Sequence, residues 1–560
     1  MMKLGFSFDA NSCHRAETER LIFCIGIGLF VVFIVWAFFF VPMNNDEVNH
    51  FHTLACIYNP FSHIDASQMR GCDHRYDLTT PLGFVIERPL PYIGIFASLL
   101  YAPFYFIFHS AFVQYIFGLA FFGAFSVMIS RLTAKPQLTF PLLLSFLPLA
   151  FNFIHDMGPV KYAMVTFPLS VWFFHKIVRS SVPNNYIYAI LLALLLFMGV
   201  EEKPFYLYLL PGLGFFILAM AGDNWVEVWG RLCKSRYALL LGGAFFIVCL
   251  IILLFSMLPN QRYYITELIL MMRGVEEMPM LDPGFSWGER WMRFVFFWPN
   301  YFHRFFDLDM IDDYGHYKIS WHEFIIFCLQ PLVLFLCCLI ATLIAWKNDQ
   351  IRGVSSRSVF LVFSFIANVI VFSFFGKIWA GHHFIFIWLP LLVLFADLLA
   401  RLSCRWQLLL MALFYVINLA PWLWLTHATL LDEVSRDRTA ISAYFDDERA
   451  LKSIVDYPSS WGYHLLEDQY GPTNQLIVRL SLKDHEIRQL YKLSQLTGRD
   501  IYIVCYKSDY AWYKVLDRYS CDKNAFEKKI SKVMEVPIVF EEALPGLEAW
   551  HVFKVVRVQE

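Results

Sequence analysis

Asp46 and Glu47 are adjacent carboxylates at the end of a long apolar run, with His50 and His52 just after them. A carboxylate so placed can take a proton from a hydroxyl that comes within hydrogen-bond reach. Four further stretches supply acids and bases: Glu87-Arg88-Pro89-Leu90-Pro91, the turn His155-Asp156 to Lys161, Glu201-Glu202-Lys203-Pro204, and Gly376-Lys377 through His382-His383-Phe384. Arg, Lys or an imidazolium can stabilise negative charge as it develops on a departing phosphate. The residue types therefore suit one job, transfer of a group from a lipid phosphate to an acceptor hydroxyl.

Each stretch also has a plainer reading. An acid pair at a helix end is more often a solvated flank than a base. His50 and His52, at i and i+2, do not share a helix face, so they make a weak metal motif with Asp46 or Glu47. His382 and His383 suit a membrane interface, and Lys203 can snorkel to it. Taken singly the plain readings win; what they leave unexplained is that all these groups fall on one predicted face.

That face follows from the elements that must position them. The chain has 560 residues, 58% hydrophobic and only 16% charged, with mean hydropathy +0.51. Soluble domains are about a quarter charged, so this composition describes a polytopic membrane protein. A net charge of -2 argues against general affinity for nucleic acid, which needs a basic patch. Leu21 to Val41 is too long for a signal-peptide core and lacks a small-residue cleavage site, so it reads as a retained anchor with Lys3, Arg15 and Arg20 in the cytoplasm.

Spans are expected at 21–41, 111–130, 138–154, 162–177, 186–200, 205–221, 237–258, 324–346, 359–375, 384–400 and 406–426. Eleven crossings put Arg131 and Lys135, Lys176 and Arg179, Arg231, Lys234 and Arg236, Lys347, Arg352 and Arg357, and Arg401 and Arg405 on the cytoplasmic side. Leu90 to His109 would invert every later loop if it crossed, so it is assigned as a helix lying along or re-entering the membrane. The first external loop is then 42–110 and a second, aromatic and acidic, is 259–320. Residues 1–426 form the membrane domain. Residues 427–560 carry β-type alternation at 475–480, 500–506 and 550–556, with helix-like stretches at 484–496 and 510–519, and read as a small soluble α/β domain outside the last span. Cys56 with Cys72, and Cys505 with Cys521, could pair if their segments face an oxidising compartment.

The order of motifs resembles the GT-C superfamily of membrane glycosyltransferases, particularly protein O-mannosyltransferases and the aminoarabinose transferases that modify lipid A. Asp46-Glu47-Val48-Asn49-His50-Phe51 is similar to the motif opening the first external loop, and Glu87-Arg88-Pro89-Leu90-Pro91 to the one closing it, with Arg in place of Lys and one proline displaced. Asp156 matches the acid of the next external turn; Lys203-Pro204 and His382-His383-Phe384 through Pro390 also look like family features. The resemblance implies an inverting transfer of one sugar from a polyprenyl-phosphate or diphosphate donor, metal-independent or assisted by a divalent metal. It implies an acceptor hydroxyl on a lipid, glycan or protein, outside the cytoplasm, in the plasma membrane of a bacterium. By the same carry-over Asp46 is the base with Glu47 in support and Asp156 a second acid. Arg88 faces the donor phosphate with Lys203, Lys377, His382 and His383 as looser phosphate ligands, and His50 and Glu87 lie close to substrate.

Two other classes fit parts of the pattern. A lipid-linked glycan polymerase or ligase would be polytopic with a large external loop, but would not need the acid pair after the first span. A secondary transporter or flippase would carry its acids inside the spans; here they lie at the ends.

Overall fold

The computed structural model describes residues 10–40, 78–79, 85–86, 112–133, 135–146, 160–179, 185–202, 206–221, 225–232, 356–375, 385–429, 452–456, 476–478, 484–506, 523–548 and 550–557, with scattered positions between 240 and 250, 287 and 291, 334 and 343, and 437 and 449. They are mostly helical. The first helix, α1, is Ala10–Phe40, followed by a short β1 (Leu78–Thr79) and β2 (Val85–Ile86) antiparallel pair. Then come α2 (Phe112–Leu132), α3 (Pro136–Ser145), α4 (Val160–Arg179), α5 (Asn185–Glu202), α6 (Tyr206–Ala221) and the short α7 (Trp225–Leu232). After them lie α8 (Ser356–Phe375), α9 (Ile385–Leu399) and α10 (Cys404–Thr429).

Among the described residues one stretch, Ala16–Val35, is long and apolar enough to cross a bilayer, 20 residues at mean hydropathy 2.2. Ile22 and Phe33 are buried, whereas Leu21, Ile25, Val32 and Val35 are exposed, so the helix shows one face to protein and one outward. Comparable outward stripes run along α5 (Ile187, Ile190, Leu191, Leu194), α8 (Val362, Phe363, Ile366, Ile370) and α10 (Trp406, Leu409, Leu413, Val416), at 37% to 61% exposure. Water would penalise such apolar stripes at roughly 25 cal/mol per Å².

Proline sits inside α3 (Pro141), α4 (Pro168), α6 (Pro211) and α9 (Pro390). Interior proline removes a backbone bond, and neighbouring hydroxyls and helices can compensate in an apolar bundle. The acceptor that Pro141 frees is the Gln137 carbonyl; separately, Ser145 Oγ donates back to the Pro141 carbonyl at 2.6 Å. The tight α2–α3 connection is held by the Thr133 hydroxyl, which donates to the Ser130 carbonyl at 2.7 Å and lies 2.8 Å from Thr139 Oγ1.

Residue contacts fix the helix directions. Glu19 pairs with Lys135 at 3.6 Å, Phe23 stacks near Phe140, and a Cβ on Gly26 would lie 2.6 Å from Pro141 Cβ, so α1 and α3 run the same way. Ile177 packs with Ala189 and Leu192, making α4 and α5 an antiparallel hairpin. Between α6 and α8, Arg357 reaches Met220, Phe363 meets Phe215 and Ser364 Oγ donates to the Gly212 carbonyl at 2.7 Å, so these two run in opposite directions. Between α8 and α9, Arg357 pairs with Asp397 while Phe365 meets Trp388, which is again antiparallel.

The C-terminal part forms a five-stranded sheet of β3 (Ser453–Asp456), β4 (Leu476–Val478), β5 (Asp500–Tyr506), β6 (Ile538–Glu542) and β7 (Trp550–Arg557), in the order β4-β3-β5-β7-β6. The β3, β4 and β5 strands are parallel; β7 runs antiparallel to β5 and β6. The central strand β5 is apolar on both sides, as a strand covered on both faces must be. Ile501, Ile503 and Cys505 face Ile487, Leu490 and Tyr491 of α11 (Asp484–Thr497) and Phe526 and Ile530 of α12 (Lys523–Met534). Tyr502 and Val504 point the other way, where Phe445 lies edge-on to Tyr502 at 5.2 Å; this face belongs to the same continuous buried cluster as the helices. Gly498, at φ 65, ends α11 with the left-handed residue that turns the chain into β5. Cys505 is in a disulfide; Cys521, the partner considered above for an oxidising compartment, lies outside the described residues.

Candidate active site

Asp46, Glu47, His50, Glu87, Arg88, Asp156, Lys203, Lys377, His382 and His383 all lie outside the described residues, as do His52, the loops at 42–77 and 87–110, and the segment 90–109. What is described is the element end beside each. Helix α1 ends at Phe40, ahead of Asp46. Strand β2 ends at Ile86, directly before Glu87. Helix α4 begins at Val160, after Asp156, and α5 ends at Glu202, directly before Lys203. Helix α8 ends at Phe375 and α9 begins at Ile385, and the connection between them holds Lys377, His382 and His383.

The contacts above bring most of these ends together. Hairpin α4–α5 places the start of α4 beside the end of α5. Antiparallel pairing of α6 with α8, and of α8 with α9, places the start of α6 beside the end of α8 and the start of α9. One buried side chain ties the first set to the second. Tyr206, fully buried in the first turn of α6, approaches the hydroxyls of Thr166 and Ser170 on α4. Its ring also lies where Gly199 of α5 has no side chain; a Cβ there would sit 2.8 Å from ring carbons. Four helix ends, those next to Asp156, Lys203, Lys377 and His383, thus share one end of the bundle.

The opposite end has a different chemistry. Arg357 and Asp397 form an ion pair at 15% and 6% side-chain exposure, an arrangement that sequence reading passed over. The signal was there: Asp397 is an acid inside an otherwise apolar run, and such a group needs a partner. Tyr206 carried no comparable signal, because an aromatic at a span end reads as an interfacial residue.

Among the described residues no group of three or more His, Cys, Asp or Glu side chains is placed to hold a metal ion. The acids that sequence reading would offer to a divalent cation are outside those residues.

No family model and no curated protein matches the chain. Among solved structures, the chain is similar to the Archaeoglobus fulgidus oligosaccharyltransferase in complex with Zn and sulfate, at 10% identity and TM-score 0.40, over 95% of this chain and 72% of that one. It is similar to the same organism's oligosaccharyltransferase AglB in complex with an inhibitory peptide and a dolichol-phosphate, at 8% identity and TM-score 0.39, over 95% and 74%. Likeness at this level assigns no family, so the functional reading rests on the chain's own residues.

Proposed function

We propose that the chain is a polytopic membrane glycosyltransferase of GT-C type, which moves a sugar from a polyprenyl-phosphate-linked donor to an acceptor hydroxyl on the extracytoplasmic face. The observation that carries the reading is the meeting, at one end of the bundle, of the helix ends beside Asp156, Lys203, Lys377 and His383, away from the basic turns. Outward apolar stripes on α1, α5, α8 and α10 support the membrane setting. Asp46 joins this end through charge: Glu19 and Lys135 sit at the other end of α1, with the basic α2–α3 turn. Residues 427–560 then lie outside, where a disulfide at Cys505 is stable.

In this reading Asp46 accepts the acceptor hydroxyl proton as that oxygen attacks the anomeric carbon. The bond from that carbon to the phosphate oxygen breaks, and polyprenyl phosphate leaves with its negative charge facing Arg88, assisted by Lys203, Lys377 and His383. Inversion follows from the single displacement. Glu47 and Asp156 hold the acceptor and raise the proton affinity of Asp46, and His50 and Glu87 line the substrate. Each step uses the chain's own side chains.

The test is release of polyprenyl phosphate by the purified full chain in nanodiscs, offered a panel of synthetic polyprenyl-phosphate sugars one at a time with membrane-extract acceptors. Asp46→Asn should abolish release while preserving the unfolding midpoint. Full release by a correctly folded Asp46→Asn protein would overturn Asp46 as base, and unchanged donor dependence in Arg88→Ala would remove Arg88 from the phosphate.

A further inference from the structure

We infer that the basic end of the bundle is a docking surface for anionic phospholipid headgroups, built from exposed indoles on three separate elements. Trp172, two turns before the end of α4, is 44% exposed; Lys176 Nζ stands 5.3 Å from its ring centroid, and Tyr188 of α5 meets the indole edge-on at 6.5 Å. On α7, Trp229 and Val226 occupy one exposed face, at i+3 spacing. Trp406, beside Arg405, is exposed at the start of α10. Helix directions put all three at the end that holds the Arg357–Asp397 pair, because α4 and α6 finish there and α10 starts there.

The occupant follows from what surrounds these rings. The lipid-facing stripes of α5 and α10 begin beside them, at Ile187 and Trp406, and run toward the other end. Indoles at the edge of such a band sit at headgroup depth, their apolar rings in the acyl boundary and their N–H groups in the polar zone. A lysine held over an indole face keeps its ammonium at the same depth, within reach of a phosphodiester. Asp397 is matched by Arg357 and Glu19 by Lys135, and the exposed acids at this end are Glu17 on α1 and Glu227 on α7. Among the described residues, the exposed Arg20, Arg131, Lys176 and Arg405 outnumber these two acids, so the surface complements an anionic leaflet better than a zwitterionic one. This holds whether or not the opposite end transfers sugar.

The experiment is thermal unfolding of the full chain in nanodiscs of POPC alone and of POPC with a minority of POPG, with retained lipid counted by native mass spectrometry. The midpoint should be about 2–4 °C higher with POPG, and the difference should shrink as salt is raised. In Trp172→Ala/Lys176→Gln/Trp229→Ala it should fall by at least half. Should that variant fail to fold, Lys176→Gln alone keeps every indole and should lose part of the shift and one retained POPG. Equal midpoints in the two discs, or an undiminished POPG shift and count in Lys176→Gln, would overturn the proposal.

Discussion

Both ends of the helical bundle have acids and bases in or beside them, and the two differ in what the fold builds around them. At the basic end, charge is neutralised inside the fold, as Arg357 with Asp397, or set against exposed aromatic rings, as Lys176 over Trp172. At the other end, α5 runs through Glu201 and Glu202 and α4 begins beside Lys161, while the remaining candidate acids and bases lie in the connections; Tyr206 is wedged there among α4, α5 and α6. One end anchors and the other, by our reading, reacts.

Substitutions at the two ends should separate those roles. The largest effect expected is on turnover: Asp46→Asn should lower polyprenyl phosphate release by at least about 100-fold, the lower range for losing a general base, whereas Lys176→Gln should leave release intact. A loss of turnover in Lys176→Gln would break the division between the ends.

The next largest effect is on stability. Asp397→Ala strands the Arg357 guanidinium and should cost about 3 kcal/mol in reversible unfolding from detergent, while Arg357→Met/Asp397→Leu should come within about 1 kcal/mol of the parent. An equal loss in the single and double variants would mean the pair is not compensated in the way described.

A smaller effect tests the Tyr206 wedge. Gly199→Ala puts a methyl against a rigid buried ring and should cost about 1–3 kcal/mol. It should also lower turnover, because the corner carrying Glu202 and Lys203 must shift. Tyr206→Phe keeps the ring and should cost under about 1 kcal/mol. Normal turnover in Gly199→Ala would uncouple that corner from the chemistry.

The smallest expected effect lies in the C-terminal sheet. Burial raises the Tyr502 phenol above its ordinary 10.0, assisted by the neighbouring Tyr444, and burial raises Tyr491 despite the cation of Arg557. An unfolded tyrosine ionises near pH 10 while these two keep their protons, so their contribution is intact below pH 10 and is lost as pH rises above it toward the folded values. Hydrogen exchange at β5 and β7 should accelerate above pH 10 before it does in the helices. Equal acceleration in both regions would contradict the assignment.

Much of this fold is legible in the chain. Apolar runs predicted helices that the structure places at Phe112–Leu132, Val160–Arg179, Asn185–Glu202, Tyr206–Ala221, Ser356–Phe375, Ile385–Leu399 and Cys404–Thr429, because side chains this apolar leave the backbone no partner but itself. The alternating runs at 500–506 and 550–556 are strands, and 484–496 is a helix. Strands Ser453–Asp456 and Ile538–Glu542 and helix Lys523–Met534 escaped, since short strands and a lysine-rich helix carry weak periodicity. Stretch 510–519 lies outside the described residues.

For the site, the chain by itself determined which residues we propose to react and set them next to the ends of apolar runs, since charge and hydropathy are local properties. Only the tertiary structure decided which ends meet. Helix direction and pairing depend on contacts between residues far apart in sequence, such as Ser364 with Gly212 and Tyr206 with Gly199. The same holds for Asp397, an oddity in an apolar run until Arg357 is brought beside it. It holds too for the sheet order β4-β3-β5-β7-β6, because pairing is set by which faces can be covered, and no single strand records that.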